Sequence, residues 1–275
     1  MFSLSKVATL FSFGWKLLVS SLLNVLYIDL RTLIIGRIFN PSTLGYYNRG
    51  QQFPKVIVSN IDGSIQSVML PTLSAYQDDG GKIKQIMRRA IVSSSFIIFP
   101  MMIGLAIVAE PLVKVVLTDK WIEAVPFLQI FCLSYALMPI HTANLQAINA
   151  MGRSDIFLRL EVTKKIVGLV ILGISLPFGV YSIAFGQMIS GIISSFVNAY
   201  PNKRLLGYSY REQWIDLYPS LLVSIVMGAI VYLINFLNLL AWQTLILQVF
   251  TGIVLYISLA KIFNIESYAY LIQTI

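Results

Sequence analysis

The sequence is poor in the groups on which most enzymes and soluble domains depend. Only 12% of its 275 residues are charged, against about a quarter in a soluble globular domain. A single cysteine, Cys132, excludes an intrachain disulfide. A single histidine, His141, excludes a histidine metal cluster and the HExxH motif. No GxxxxGK[ST] phosphate loop and no GxSxG elbow occurs, so neither ATP hydrolysis by that route nor that form of serine hydrolysis is expected. Acidic residues are the scarcer charge, 12 against 20 basic, for a net charge of +8. The basic residues are scattered through short connections instead of forming one stripe, which assigns them to membrane orientation and lipid headgroups, not to nucleic acid. No cofactor and no metal is expected.

What is abundant is hydrocarbon. Hydrophobic residues make up 57% of the chain and the mean hydropathy is +0.78. Apolar stretches of about 20 residues, enough at 1.5 Å per residue to cross a core of about 30 Å, fall at 10–38, 53–75, 90–109, 124–150, 156–176, 180–200, 217–240 and 245–263. They are long and continuous, not short and alternating, which favours helices over a β-barrel. The expected fold is all-α, a polytopic membrane helix bundle of about eight transmembrane helices. The opening MFSLSKVATLFSFGWKLLVS carries Lys6 and Lys16 and lacks a small-residue cleavage site, so it does not read as a signal peptide. Most of the 20 basic residues, Lys164 and Lys165 among them, fall on one side once the spans are placed, and the connections after the fifth and seventh spans carry none. That bias predicts cytoplasmic termini.

Polarity inside the spans is unevenly distributed. Lys16, Ser20, Asn24, Tyr27 and Arg31 share one face of the first span, and Gln52, Lys55, Ser59, Asp62 and Gln66 share one face of the second. A cation at mid-span costs roughly 2.5 to 3.5 kcal/mol on insertion scales. Such stripes therefore turn toward a wet cavity or toward each other, and the cavity is the favoured reading. Its expected lining is Asn24, Tyr27, Arg31, Lys55, Asp62 and Gln66. Asp29 and Arg31 are two residues apart, about 200° around a helix, so Asp29 needs a partner on another helix. Arg37 and Arg49 flank an expected turn at Asn40, Pro41 and Gly45.

The remaining spans carry weaker signals. Pro100 lies inside the third and predicts a kink. His141 in the fourth fits a side chain that satisfies a neighbouring carbonyl better than a proton relay. Ser182, Gly186, Ser190, Ser194 and Asn198 recur every fourth residue along the sixth, a packing face. The last two spans look apolar nearly all round, hence peripheral and lipid-facing. Glu110, Asp119 and Glu123, interleaved with Lys114, Lys120 and Trp121, read as a water interface and not as an acid–base pair.

The runs DLRTLIIGRIFNPSTLGYYNRGQQFP, VMLPTLSAYQDD, EPLVKVVLTDKWIEAVPFLQI and AINAMGRSDIFLRLE resemble the polysaccharide exporters of Gram-negative and other bacteria. These are the Wzx-type flippases and their relatives in the multidrug/oligosaccharidyl-lipid/polysaccharide superfamily. LGYYNRGQQFP and GRSD are the most specific segments, and the resemblance weakens after about Tyr200. It implies one six-helix lobe, the C-terminal one, over 1–200, followed over 201–275 by a cytoplasmic loop and two peripheral helices. It further implies export of a lipid-linked oligosaccharide on an undecaprenyl pyrophosphate carrier, without enzymatic activity, from the inner membrane. An N-terminal lobe would then be supplied outside this chain, with Met1 at the connection between lobes. Two other readings stay open: a membrane-embedded glycan polymerase or ligase, against which the short outer connections count, and an inactive truncated flippase.

Overall fold

A computed structural model describes residues 4–269, and among these there is no strand. The helices are α1 (Leu4–Ile38), α2 (Pro41–Ser74), α3 (Gly80–Ile107), α4 (Ala109–Val116), α5 (Val125–Tyr135), α6 (Met138–Ala150), α7 (Ser154–Ser175), α8 (Val180–Leu206), α9 (Tyr210–Tyr232) and α10 (Ala241–Ile262). Six helical stretches are long and apolar enough to cross a bilayer: Gly14–Ile38, Gly80–Ile107, Asp119–Ala150, Val180–Leu206, Tyr210–Leu237 and Ala241–Ile262. The chain is thus an all-helical, multi-pass membrane protein. The second and fifth expected spans, now α2 and α7, are helical too but too polar to stand among the six.

The helix ends depart from the sequence reading where local chemistry overrides hydropathy. The second span begins twelve residues early, at Pro41. Asn40 has extended backbone, and its Oδ1 accepts from the Thr43 N–H at 2.7 Å, while Pro41 takes the first helical position, where its missing N–H leaves no gap. The expected turn through Gly45 is therefore the start of α2, and Arg49 lies within the helix. The fourth span is broken: α5 ends at Tyr135, and Pro139 stands in the first turn of α6. Where a mixed-charge loop was expected after the third span there is α4 and then a 3-10 turn, Asp119–Ala124. α3 continues through Pro100. α8 runs on to Leu206 with Lys203 and Arg204 in its last turn, and Gly207, at φ +62°, supplies the left-handed residue that ends it.

Two compact units divide the chain. One holds the residues up to Leu44 with Gln66–Met87 and Ile140–Tyr210; the other holds Gly45–Ile65, Arg88–Pro139 and the residues from Arg211 on. In the first, α1 packs on α7 and α7 on α8. A Cβ at Gly186 would lie 2.5 Å from Ser175 Oγ and 3.0 Å from Ile171, so the small-residue face of α8 touches α7 at Gly186. Asn198 Nδ2 meets His141 Nδ1 at 3.0 Å, and Asn202 Nδ2 donates to Asn144 Oδ1 at 2.8 Å. His141 thus has a side-chain amide on α8 as a partner, where the sequence reading expected a carbonyl.

The second unit has two apolar cores. Val58, Ile98, Met102, Ala109, Val113, Leu128 and Cys132 form one, where α2, α3, α4 and α5 meet. Phe96, Val223, Met227, Val231, Tyr256, Ala260 and Ile265 form the other. Here the last two spans differ from their expected all-round exposure. Ser220, Ser224 and Gly228 make a buried seam on α9, and a Cβ on Gly228 would come within 2.7 Å of Ile103. Tyr256 Oη donates to the Phe96 carbonyl at 2.7 Å, so a buried hydroxyl is satisfied. The opposite faces of α9 and α10, with Ile225, Phe250 and Ile253, remain exposed and suit lipid.

Candidate functional site

The polar stripe of α1 faces α7. Ser20 is buried and its hydroxyl donates to the Lys16 carbonyl at 2.8 Å, so that part of the stripe is satisfied within the helix. Further along, Lys165 Nζ donates to Asn24 Oδ1 at 2.6 Å. Tyr27 lies against Gly168, where a Cβ would sit 2.4 Å from its hydroxyl. Two cations stand over the Tyr27 ring, Arg31 with its guanidinium carbon 4.6 Å from the centroid and Lys165 with its Nζ at 5.0 Å. Arg31 also donates to the Tyr27 hydroxyl. Glu161, buried on α7, pairs with Lys164 and lies 3.8 Å from Lys165. Beside this cluster a narrow cleft is lined by Tyr27, Arg31, Leu172, Ile183 and Gln187.

The geometry explains why the cations tolerate this position. Aromatic faces are electron-rich, so a ring shared by two cations, one carboxylate and one amide oxygen supplies much of what water would. The arrangement brings two cations together from two helices, a guanidinium that can fork to two oxygens and an ammonium that cannot.

The six residues expected to line a cavity fall in both units. Asn24, Tyr27 and Arg31 come together in the α1/α7 cluster. Gln66, in the same unit, accepts from Gln146 Nε2 at 3.0 Å. Lys55 and Asp62 belong to the other unit. Lys55 is exposed and Asp62 is buried. Much of the remaining polarity of α2 is spent on its own backbone: Ser59, Asn60 and Ser64 each donate to a carbonyl three or four residues earlier. Asp29 is exposed on α1.

Glu161, Lys164 and Lys165 are additions to the expected set. The sequence reading placed both lysines with the cytoplasmic charges, whereas they lie two to three turns inside α7. Their i, i+3 and i+4 spacing from Glu161 was the signal available.

The second unit carries a separate polar groove of about 540 Å³, lined by Gly45, Asn48, Arg49, Gln51, Gln52, Lys55 and Trp121. Its position follows from the close approach of α2 to α5. A Cβ at Gly50 would fall 2.5 Å from Phe127 Cβ and 2.7 Å from the Leu128 nitrogen, so only glycine fits. Tyr47 packs edge-on against Phe127 and Phe131, and Tyr46 edge-on against Trp121. The LGYYNRGQQFP segment is therefore the packing face that docks α2 on residues 121–135. GRSD likewise makes a turn: Gly152 has φ +70°, Ser154 is buried, and Arg153 grips Asp155 through two bonds of 3.1 and 3.2 Å. That grip holds the Asp155 carboxyl below the usual carboxylate range.

Residues 1–126 match the family described as polysaccharide biosynthesis protein. The chain is 29% identical over 242 residues to the lipopolysaccharide biosynthesis protein WzxC of Escherichia coli (strain K12), covering 83% of this chain and 48% of that protein. It is 28% identical over 156 residues to the teichuronic acid biosynthesis protein TuaB of Bacillus subtilis (strain 168), covering 57% of this chain and 32% of that one. The chain thus spans about half the length of the first relative and a smaller share of the second. Among solved structures, lipid II flippase MurJ in an inward closed conformation superposes with a TM-score of 0.78 at 16% identity, over 99% of this chain and 57% of that one. At that identity the likeness speaks for the fold.

Proposed function

We propose that this chain is one of the Wzx-type polysaccharide exporters of the multidrug/oligosaccharidyl-lipid/polysaccharide superfamily and forms the C-terminal lobe of a flippase for lipid-linked oligosaccharide. The cargo in this reading is a glycan on an undecaprenyl pyrophosphate carrier, moved from the inner to the outer leaflet of the inner membrane by alternating access. The termini are cytoplasmic, an N-terminal lobe completes the translocation path, and the chain transports without catalysing a covalent step. The division into a six-helix lobe over 1–200 and a peripheral pair over 201–275 belongs to the same proposal.

The observation that carries it is the placement of Arg31 and Lys165 over one tyrosine ring within a membrane helix bundle. Cations inside a span are costly unless paired or put to use. Glu161 lies nearest Lys164, which leaves positive charge in excess at this cluster. A pyrophosphate suits that excess, because arginine binds phosphate oxygens bidentately and with charge assistance. The test is surface polysaccharide in cells whose full-length transporter carries Arg31→Ala or Lys165→Ala. Tenfold or greater loss of polysaccharide at unchanged membrane abundance is expected of each. Normal polysaccharide in both would overturn the assignment.

A further inference from the structure

The groove of the second unit carries a different chemistry from the α1/α7 cluster. Of its seven lining residues two are cationic, three are amides, one is a tryptophan and none is acidic. Asp119 and Glu123 share the 3-10 turn of Trp121 but lie outside the lining. Arg49 holds its guanidinium carbon 5.2 Å from the Trp121 ring centroid and donates to Gln52 Oε1 at 2.7 Å. Gln51 donates to Tyr135 Oη at 3.3 Å. Tyr46 braces the indole edge-on with centroids 5.9 Å apart, and Gly45 meets it 3.7 Å from a would-be Cβ, so the ring is fixed by contact on two sides. Asn48, Arg49, Gln52 and Lys55 are exposed.

A simple phosphate site needs cations and N–H donors. It has no use for a fixed indole or for the carbonyl acceptors that the amides add to their N–H donors. A sugar uses all of these at once: the C–H face of the ring lies on the negative face of an aromatic, an amide offers a donor and an acceptor to neighbouring hydroxyls, and a carboxylate on the sugar takes the cations. The volume is in the range of small-ligand sites. We infer that this groove binds an acidic sugar residue, a hexuronic acid or similarly charged unit, with Trp121 as the stacking platform, Asn48 and Gln52 on hydroxyls, and Arg49 and Lys55 on the acid group. This deepens the flippase reading by naming the glycan class that it carries, and it stands on a site distinct from Arg31.

The test is isothermal titration of the full chain in nanodiscs of uncharged phosphatidylcholine. The titrants are an oligosaccharide containing glucuronic acid, a neutral oligosaccharide of equal length, and glycerol phosphate as a stand-in for a lipid headgroup. Saturable binding of the acidic oligosaccharide, at least tenfold tighter than the neutral one, is expected. Arg49→Gln and Lys55→Gln, both at exposed positions, should each remove about tenfold of the affinity for the acidic glycan alone. Trp121→Ala should weaken both glycans. Equal binding of acidic and neutral glycans, or no effect of Arg49→Gln, overturns the inference. Glycerol phosphate binding as tightly as the acidic glycan overturns it in favour of a headgroup site. The readout is independent of transport: harmless Arg31→Ala and Lys165→Ala would sink the flippase cluster while leaving this titration standing, and the reverse also holds.

Discussion

Two places in the chain set a pair of cations beside an aromatic ring, and they are built on different terms. Arg31 and Lys165 come from two helices, α1 and α7, and meet over Tyr27 only because Gly168 lets those helices touch. Arg49 and Lys55 both come from α2, and Trp121 is the groove's lining residue from elsewhere. The first site reports the packing of two helices, so any shift between α1 and α7 changes its charge geometry. The second travels with α2 as long as α2 stays docked on residues 121–135. On the proposed flippase function, the first would be a site whose affinity changes with conformation and the second one whose affinity does not.

Glycines support both sites, and substituting them separates the two designs. Gly50→Ala has the largest expected effect on stability. The added carbon meets backbone, the Leu128 nitrogen at 2.7 Å and the Ala124 oxygen at 2.9 Å, which cannot swing aside. Overpacking of this kind costs about 3 kcal/mol at the upper end, and the better helix propensity of alanine offsets about 1 kcal/mol. A net loss of about 2 kcal/mol is expected in thermal unfolding of the detergent-purified protein, together with weakened glycan binding in the groove. A wild-type melting curve would disprove the close approach.

Gly168→Ala is the counterpart in the other unit, with a smaller stability effect. The new carbon meets only the Tyr27 side chain, its hydroxyl at 2.4 Å and Cζ at 2.9 Å. A ring can rotate away, so the packing cost is about 1 kcal/mol and is roughly cancelled by helix propensity. Melting should hardly change. Displacing Tyr27 separates Arg31 from Lys165, however, so surface polysaccharide should fall severalfold in the full-length transporter. A variant that melts normally and exports normally would show that the shared ring has no part in transport.

This pairing of sites was only half legible in the sequence. Periodicity placed Asn24, Tyr27 and Arg31 on one face of α1, because helix geometry alone decides which residues share a face. It could not place Lys165 opposite them, because the partner of a face is a tertiary fact. The positive-inside bias then drew both α7 lysines toward a loop in which they do not lie. The early start of α2 was missed because hydropathy sees Asn48, Arg49, Gln51 and Gln52 as a connection, whereas Asn40 and Pro41 carry the capping signal. The seam of Ser220, Ser224 and Gly228 was hidden by the apolar residues around it. Class follows from bulk composition, whereas helix breaks and docking faces depend on a few local residues.

A third arginine shows how charge is held when structure is its only evident task. Arg88 on α3 donates to Asp216 on α9 at 3.0 Å and forks to both oxygens of Glu266, beyond α10, at 2.9 and 2.8 Å. Ser267 adds a bond to the Val92 carbonyl at 3.2 Å, so the segment after α10 is tied to α3. The fork to Arg88 holds the Glu266 carboxyl below its ordinary value of 4.5. A carboxylate lowered in the folded state adds stability above the pKa it has when unfolded, and that stability is lost as pH falls through the lower, folded value. Both partners are partly exposed, at 39% and 64%, so the contribution is small, about 0.5 kcal/mol, and screened by salt. Glu266→Gln should therefore lower the melting temperature slightly at pH 7. The gap to wild type should close as pH falls below about 4.5, and high salt should narrow it at neutral pH. Neither the groove nor the α1/α7 cluster contains Glu266, so glycan binding and export should stay at wild-type levels. A defect in either would mean that the tie between α3 and the segment after α10 reaches a functional site.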